Sequence, residues 1–351
     1  MIQYFCNKEE IEQNAMDVIL ESERDMDKIC VFPDIHYSSE NSIPVGVAFQ
    51  STNKFFPLVT GKDVGCGVMF LRFPSKTWRK PFNKSEHYNA FNKVSQTFTD
   101  DGLGGGNHFL SIEEGDDGFT YIICHTGTRN LGIHMYQHFL SLIDKFNYKE
   151  GVHGKSLPLD QWTDELSEKY KKVVDFGVSR RNQFVTKTFE FLIRNSYITN
   201  VNYEIVDSIH NIFIINEEIA IHRKGATILT NTKITGDQVA IPLSMTRGTL
   251  IVEPKFFSDL SNNLWSCAHG AGRRLSRTDS LKHWHSLKNK EKKIYEQNFS
   301  EMLDRSGKFP NGYLQEFDFA YKNSDTILKD QPFLKRIAQT RPIVTVKFTE
   351  I

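Results

Sequence analysis

The chain has 351 residues, of which 39% are hydrophobic and 25% are charged. These values are close to the average of globular domains, and they exclude a chain that is disordered over most of its length. Lysine plus arginine number 43, and aspartate plus glutamate also number 43, so the formal net charge is zero. A polybasic protein is thereby excluded, and any nucleic-acid surface must be a local patch of positive charge.

Membrane insertion and secretion are not expected from this sequence. No apolar run approaches the roughly 20 residues that a membrane helix needs. The first ten residues turn acidic before an apolar signal core could form. The five cysteines are an odd and sparse set, which is typical of a reducing compartment where a special cysteine acts as ligand or nucleophile. We therefore expect a cytoplasmic protein without a membrane partner.

The hydrophobic pattern predicts secondary structure in irregular blocks. Helices are predicted at 8–22, 84–98, 132–146, 161–194, 280–304 and 324–339. Strands are predicted at 29–32, 45–49, 68–71, 121–124, 203–206, 212–215, 226–230, 239–242, 249–252 and 343–348. This order favours an α+β architecture over regular βαβ winding. Because no Gly/Ser/Pro linker divides the chain, we expect one domain over residues 1–351.

Several polar residues lie among glycines or at the ends of predicted strands. Asp63 and Cys66 share a compact glycine-containing loop, so both could reach one ion. His108 follows a glycine cluster that suits close approach of backbone N–H groups to phosphate. His125 and His210 each end a predicted strand. Each feature alone is compatible with a tight turn or a structural side chain, but the combined set suits Mn, Fe, Co or Zn rather than Mg.

The sharpest local signal is a histidine followed by Gly-Ala-Gly and then by arginines. This segment runs from His269 through Arg273 and Arg274 to Arg277. An imidazole beside arginines has a lowered pKa and stays neutral at pH 7. Neutral imidazole with arginines is what attack on a phosphoryl group requires. The alternative is an anion-binding turn in which His269 only donates a hydrogen bond.

These stretches, in this order, resemble the RtcB family of RNA-splicing ligases. The resemblance runs nearly end to end, through segments 33–36, 43–46, 65–67, 104–108, 125–129, 210–211, 222–225, 244–245, 269–273, 320–322 and 346–347. It implies a single RtcB-like domain of α+β class, with mixed sheets around a dinuclear metal site.

The resemblance also implies a three-step, GTP-dependent reaction that joins broken RNA. Because the chain is a compact and divergent member of this pattern, we expect a dedicated substrate such as a cleaved tRNA or ribosomal RNA. His269 would attack the α-phosphate of GTP and carry GMP as a phosphoramidate. GMP would then pass to an RNA 3′-phosphate, which a 2′,3′-cyclic phosphate yields on opening. The 5′-hydroxyl of the second RNA end would finally displace GMP and form the phosphodiester.

Site residues follow from the same resemblance. Two Mn²⁺ ions would be held by Asp63, Cys66 as the bridging thiolate, His108, His125 and His210. The guanylate would be held by Asn107, Asn211, Pro242, Leu243, Ser244, Met245, Thr249, Gly270, Ala271, Gly272 and Lys347. RNA phosphates would lie against Arg273, Arg277 and Arg181. A monomer is expected, and a need for an activating protein partner is left open.

The chain departs from the family pattern at Ser111, where relatives carry a glutamate that helps to hold the nucleotide. Glu113 lies two residues further on the same strand face and is the candidate replacement. This departure concerns the choice between GTP and ATP, and it does not concern the attack of His269 on the nucleotide. A second departure is Arg180, which stands where relatives often have asparagine.

Three other functions remain open at this point. Lys62 to Gly65 fits the loose Lys-x-x-Gly pattern of ligases that adenylate a lysine. The same candidate ligands could serve a metal-dependent RNA-end phosphatase or cyclic phosphodiesterase. The third is an RNA-binding protein that retained the fold but lost the catalytic activity. The full set of five candidate ligands and a nucleophile argues against this non-enzymatic function.

Overall fold

The computed structural model describes residues 1–37, 43–82, 84–98, 102–146, 156–229, 238–255, 259–303 and 306–347. Its strands are β1 (Ile2–Tyr4), β2 (Lys28–His36), β3 (Val45–Thr52), β4 (Lys54–Phe55), β5 (Gly67–Pro74), β6 (Phe109–Gly115), β7 (Phe119–Thr126), β8 (Leu157–Pro158), β9 (Glu204–Ile209), β10 (Asn211–Asn216), β11 (Ile219–Lys224), β12 (Ala226–Ile228), β13 (Val239–Ser244), β14 (Gly248–Pro254), β15 (Ser266–Ala268) and β16 (Leu334–Val346). Its helices are α1 (Gln13–Ser22), α2 (Lys84–Ser95), α3 (Asn130–Phe146), α4 (Asp164–Arg194), α5 (Arg277–Ser286), α6 (Asn289–Asn298), α7 (Asn311–Leu314) and α8 (Thr326–Asp330). None of the helices in these ranges is long and apolar enough to cross a membrane.

Two sheets organise the chain. A seven-stranded antiparallel sheet has the order β13-β14-β16-β6-β7-β5-β9. A five-stranded sheet has the order β1-β2-β3-β11-β10, with β1 and β2 parallel and the other neighbours antiparallel. Segments distant in sequence are thus neighbours in both sheets. The mixture of helices and several sheets confirms the predicted α+β class.

The central strands β5 and β7 are buried on both faces. On one face Leu71 and Ile122 pack against Phe184 of the long helix α4. On the other face Ile123 packs with Ile251 of β14. Because successive side chains of a strand point to opposite faces, burial on both sides explains the continuous apolar run at 121–124. The strand ends are therefore held firmly by the core.

The sequence-based prediction of a helix at 324–339 was right only for Thr326–Asp330 and wrong for the rest of that range. The helix α8 ends at Asp330, and β16 begins at Leu334. Pro332 lies between them, and proline removes a helix hydrogen bond and clashes with the preceding turn. Beyond it Leu334, Ala338 and Thr340 are buried against β14 and β6 in the seven-stranded sheet.

The predicted helix at 280–304 is two helices, α5 and α6, joined at an extended Leu287. The turn lets Trp284 and Tyr295 approach each other, with ring centroids 5.8 Å apart, while both rings contact Phe317. The aromatic cluster thus stabilises a break that helical periodicity does not indicate. The predicted strand ends at Thr230 and Phe348 lie outside the described residues.

A buried histidine in β11 predicts acid sensitivity. The fully buried His222 accepts the Phe56 N–H at 2.9 Å, and burial lowers the pKa of His222 from 6.5 to about 3. As the pH falls, the unfolded chain therefore binds a proton at this histidine before the folded chain does. The contribution of neutral His222 to the free energy of unfolding is thus complete above pH 6.5 and is lost as the pH falls below it. Between pH 6.5 and 5 the loss should be about 2 kcal/mol. Thermal unfolding of metal-free protein should show a shallower pH dependence for His222→Gln than for the unchanged chain, and equal slopes would contradict this account.

Candidate active site

The loop that carries Asp63 and Cys66 leads directly into β5. Gly65 has φ of 76°, and a Cβ there would lie 3.2 Å from the Cα of Val174 and 3.1 Å from Thr128 Cγ2. The Gly65 N–H donates to the Asn211 carbonyl at 2.7 Å. This glycine therefore lets the loop pack closely against α4. The side chains of Asp63 and Cys66 on this loop both lie near His108.

The candidate histidines come together because their strands are neighbours. His108 precedes β6, His125 lies near the end of β7, and His210 follows β9. The sheet order β6-β7-β5-β9 places these strand ends side by side next to Cys66 at the start of β5. Phe109, the first residue of β6, pairs with His125 of β7 in this sheet. The pairing places His108, which precedes Phe109, close to His125.

The five predicted metal ligands form one cluster. Cys66 Sγ lies 3.6 Å from His108 Nε2 and 3.4 Å from His125 Nε2. His125 Nε2 lies 3.4 Å from His210 Nε2, and His108 Nε2 lies 3.3 Å from Asp63 Oδ2. Ligands bonded to one transition metal at about 2.0–2.3 Å are separated by about 3.3–3.8 Å in a tetrahedral shell. The spacing and the donor types of this cluster, in which the Cys66, His108 and His125 ligand atoms are mutually close, therefore fit a divalent transition metal.

The electrostatics of the metal-free cluster agree with that fit. Burial raises the pKa of the Cys66 thiol well above its usual value, and the nearby Asp63 adds to this. Burial also lowers the pKa values of His125 and His210 well below 6.5, so both imidazoles are neutral. For Asp63, burial acts to raise the pKa, but the hydrogen bond and charge of His108 hold it at about 2. Neutral imidazoles and a carboxylate are ready ligands, whereas the thiol must release its proton on metal binding.

His269 lies beside this cluster, and Asp34 orients it. The rings of His269 and His210 have centroids 4.6 Å apart. One carboxylate oxygen of Asp34 accepts the His269 backbone N–H at 3.0 Å and also contacts His269 Nδ1 in a short hydrogen bond. Asp34 has no exposed side-chain surface. If Nδ1 holds the proton that Asp34 accepts, the lone pair of His269 lies on Nε2.

A cavity of about 470 Å³ opens between the cluster and the 242–245 and 269–273 segments. Its wall includes nearly all the residues predicted to hold the nucleotide, namely Asn107, Asn211, Pro242, Leu243, Ser244, Met245, Gly270, Ala271, Gly272 and Lys347. Thr249 is fully buried, and its backbone N–H donates to Thr340 Oγ1 at 2.8 Å. Thr249 thus lies near the site without lining the described cavity.

The three arginines predicted to contact RNA have different surroundings. Arg277 lines the cavity mouth, and a Cβ on Gly106 would lie 3.4 Å from its Nη2. Arg273 also lines the cavity, but its guanidinium donates to the Gln315 carbonyl at 2.7 Å and lies 3.5 Å from Glu316. The prediction for Arg181 was wrong as a surface contact. Its side chain is fully buried, and an ion pair with Asp207 compensates the buried charge.

Sequence reasoning missed other cavity residues. Asp34 and His36 lie in a segment that was recognised as a motif but given no role, and His36 lines the cavity with its Nδ1 2.8 Å from the Asp34 carbonyl. Burial lowers the pKa of Lys224, another wall residue, to about 8. Glu316 and Tyr321 share a short hydrogen bond at the same wall. The position of Asp34 and His36 in a family-like motif was the one indication of a role. The contact of Asp34 with His269 could not be predicted, because the two residues are 235 positions apart in the sequence.

Lys62, the alternative nucleophile, is poorly placed for that role. It is exposed, and its Nζ lies 5.9 Å from the ring centre of Tyr136 on α3. In the described part of the chain it does not line the cavity. The structure therefore favours His269 over Lys62 as the nucleophile candidate.

The fold and the cluster define a mixed α/β protein built around candidate metal ligands. The family model for "tRNA-splicing ligase RtcB" matches residues 83–348, and the chain belongs to this family. The predicted family resemblance is thereby confirmed.

Curated relatives give the same result. A tRNA-splicing ligase RtcB of Nanoarchaeum equitans is 28% identical over 70% of this chain and 59% of its own length. One of Methanocaldococcus jannaschii is 24% identical over 87% of this chain and 37% of its own length. The RNA-splicing ligase RtcB2 of Escherichia coli is 23% identical over 72% of this chain and 70% of its own length. The chain thus spans between about a third and 60% of the length of the first two relatives.

Proposed function

We propose that this chain is an RNA ligase that joins a 3′-phosphate or 2′,3′-cyclic phosphate end to a 5′-hydroxyl end, with GTP and Mn²⁺ as cofactors. Family membership and the names of the relatives support RNA ligation. Residues 1–351 would form one catalytic domain, since both large sheets combine strands from distant parts of the chain. A monomeric state and a need for an activating protein stay predictions.

The observation that carries the proposal is the position of His269 between the metal-ligand cluster and the cavity. Its ring contacts His210, and its Nδ1 is held by the buried carboxylate of Asp34. The pairing leaves Nε2 as the nucleophile for the α-phosphorus of GTP, as a carboxylate fixes the imidazole tautomer in other catalytic sites. The P–N bond forms as the bond to pyrophosphate breaks, which leaves GMP on His269.

Asp63, Cys66, His108, His125 and His210 would hold the two metal ions. When bound, such ions neutralise phosphate charge and orient the reacting oxygens. The chain's own contribution is to bury Cys66, His108, His125 and His210 and to present their sulfur and nitrogen atoms close together.

The RNA ends would enter at the mouth of the cavity beside Arg277 and Arg273. A 3′-phosphate oxygen would attack the GMP phosphorus and release His269. The 5′-hydroxyl of the other end would then attack the 3′-phosphorus and release GMP. Local arginines suit this binding because phosphate contacts supply most of the sequence-independent affinity for nucleic acids.

Nucleotide choice would depend on the carboxylates at the inner wall of the cavity. Glu113 lines the cavity and accepts the Ser111 hydroxyl at 2.5 Å and the Thr340 hydroxyl. Lys347 lies on the same wall, 3.4 Å from Glu316. The Glu316 carboxylate and the neighbouring Lys347 ammonium would complement the N–H groups and the carbonyl of guanine, whereas adenine has no carbonyl. This arrangement supports GTP as the substrate despite Ser111.

The test is incubation of metal-free protein with α-³²P-GTP or α-³²P-ATP, with and without Mn²⁺, followed by a denaturing gel. A labelled protein band that needs both GTP and Mn²⁺ is expected. A band with ATP alone would refute the proposed base recognition. No band with either nucleotide, together with phosphate release from RNA ends, would favour the phosphatase or cyclic phosphodiesterase function of the same cluster.

Asp34→Asn should slow formation of the adduct without weakening metal binding. Asparagine keeps the size of the side chain but cannot stabilise the imidazole as a carboxylate does, and it permits the wrong tautomer. A comparable change in a serine-protease triad costs about 10⁴-fold, so we expect a loss of at least about 100-fold here. Single-turnover adduct formation and Mn²⁺ titration should be measured on the same preparation. A variant that forms the adduct at the original rate would remove Asp34 from the mechanism.

A further inference from the structure

Helix α4 carries two consecutive arginines that are both buried. Arg180 is 2% exposed and Arg181 is 0% exposed. Burying a guanidinium is costly unless its N–H groups are hydrogen-bonded and its charge is compensated. The partners of these two side chains therefore indicate what the protein gains from placing them there.

Arg181 contacts three segments that bear candidate metal ligands. Its Nε and Nη2 donate to the two carboxylate oxygens of Asp207 at 2.6 and 2.8 Å. Its Nη1 donates to the Gly65 carbonyl at 2.7 Å and to the Thr126 carbonyl at 3.0 Å. Gly65 precedes Cys66, Thr126 follows His125, and Asp207 is three residues before His210. One planar group thus ties these three segments together.

Arg180 contacts the segments of the remaining histidine and of His125. Its Nη1 donates to the Gly127 carbonyl at 2.6 Å, and its Nη2 donates to the Gly102 carbonyl at 2.5 Å. Gly102 begins the loop that leads to His108. An asparagine at this position would be shorter and uncharged, so it would not make the same pair of charged hydrogen bonds.

Glycines leave room for this contact between the helix and the loops. A Cβ on Gly67 would lie 3.0 Å from Arg181 Cζ. A Cβ on Gly177, one turn earlier in α4, would lie 2.9 Å from the Gly65 carbonyl oxygen. Both positions therefore exclude a larger side chain, and the helix can approach the Cys66 loop closely.

We propose that Arg180 and Arg181, which we call the arginine brace, are positioning residues that set the spacing of the metal ligands and thereby the affinity for the metal ions. The inference rests on the metal-binding part of the proposed function. The brace would act through backbone carbonyls near the ligands and through the Asp207 carboxylate, and not by direct contact with a metal ion or RNA. Outer contacts that orient ligands typically change metal affinity by about 10–100-fold when they are removed.

The test compares Arg180→Lys and Arg181→Lys with Arg194→Lys on metal-free full-length protein. Lysine keeps the charge but donates from one point, so it cannot replace a forked contact. Arg194 is the matched control, because it lies on the same helix with an exposed ion pair to Glu190. Mn²⁺ affinity by calorimetry and the visible absorption of bound Co²⁺ should both be measured, with circular dichroism and thermal unfolding as the check on folding.

We expect the two brace variants to bind Mn²⁺ about 10–100-fold more weakly, with shifted Co²⁺ absorption bands, while Arg194→Lys is unchanged. Folded brace variants with the original affinity and spectrum would overturn the proposal, even if they unfold at lower temperature.

Should either variant fail to fold, Arg180→Gln, which can still reach one carbonyl, provides the same comparison. Unchanged protein that binds Mn²⁺ but forms no nucleotide adduct would refute the ligase and leave the brace standing, whereas absence of Mn²⁺ and Co²⁺ binding would refute both.

Discussion

Replacing His269 by alanine is expected to reduce the labelled nucleotide–protein adduct by at least about 1,000-fold, because it removes the group that we propose forms the P–N bond. Metal binding should persist, since the five candidate ligands belong to other segments and the contact of His269 with this cluster is ring packing against His210. The adduct of the unchanged protein should also be labile in acid, as phosphoramidates are. Single-turnover labelling and Mn²⁺ titration of the same samples measure both expectations.

His285→Ala is the control for this substitution. His285 is exposed on α5, and among the described residues it does not line the cavity. Its removal should leave labelling at the original level. If the His269 variant is still labelled, the nucleophile is another residue, and peptide mapping of the label would identify it.

Much of the site could be predicted because its residues lie in short motifs whose chemistry is local. The glycines around Cys66 and the histidines at strand ends indicated ligands before any fold was known. The sheet order β6-β7-β5-β9 then supplies the physical reason that they meet. The break between α5 and α6 was less predictable, since it is stabilised by the packing of Trp284 and Tyr295 against Phe317.

Residues that act through distant partners could not be predicted in the same way. Asp34 contacts His269 only because β2 and the 269–273 segment are packed together, which no local pattern encodes. The family resemblance implied that Arg181 contacts RNA phosphate, but a resemblance between short motifs does not show whether a side chain is buried. Its partners are one carboxylate and two carbonyls from three separate segments. Burial and pairing are properties of the tertiary structure.

Replacing Cys66 by alanine should eliminate nucleotide labelling and weaken Mn²⁺ binding by more than about 100-fold. Its sulfur lies within 3.6 Å of two imidazole nitrogens, so it is the central donor of the cluster. Loss of an outer contact alone costs about 10–100-fold, and loss of a ligand should cost at least as much. If the thiolate bridges two ions, the number of bound Mn²⁺ ions should fall as well as the affinity.

Cys124→Ala provides a matched control for the Cys66 substitution. Cys124 is equally buried and lies on β7, but it packs in the apolar core between the sheet and α4. Its replacement removes a thiol of the same size and should lower the unfolding temperature slightly, while Mn²⁺ affinity, Mn²⁺ stoichiometry and labelling stay unchanged. Equal losses in both variants would mean that the effect comes from packing. A Cys66 variant that keeps two Mn²⁺ ions at the original affinity would exclude the thiolate from the metal site, and the nucleotide chemistry would then have to depend on the carboxylate and imidazole ligands alone.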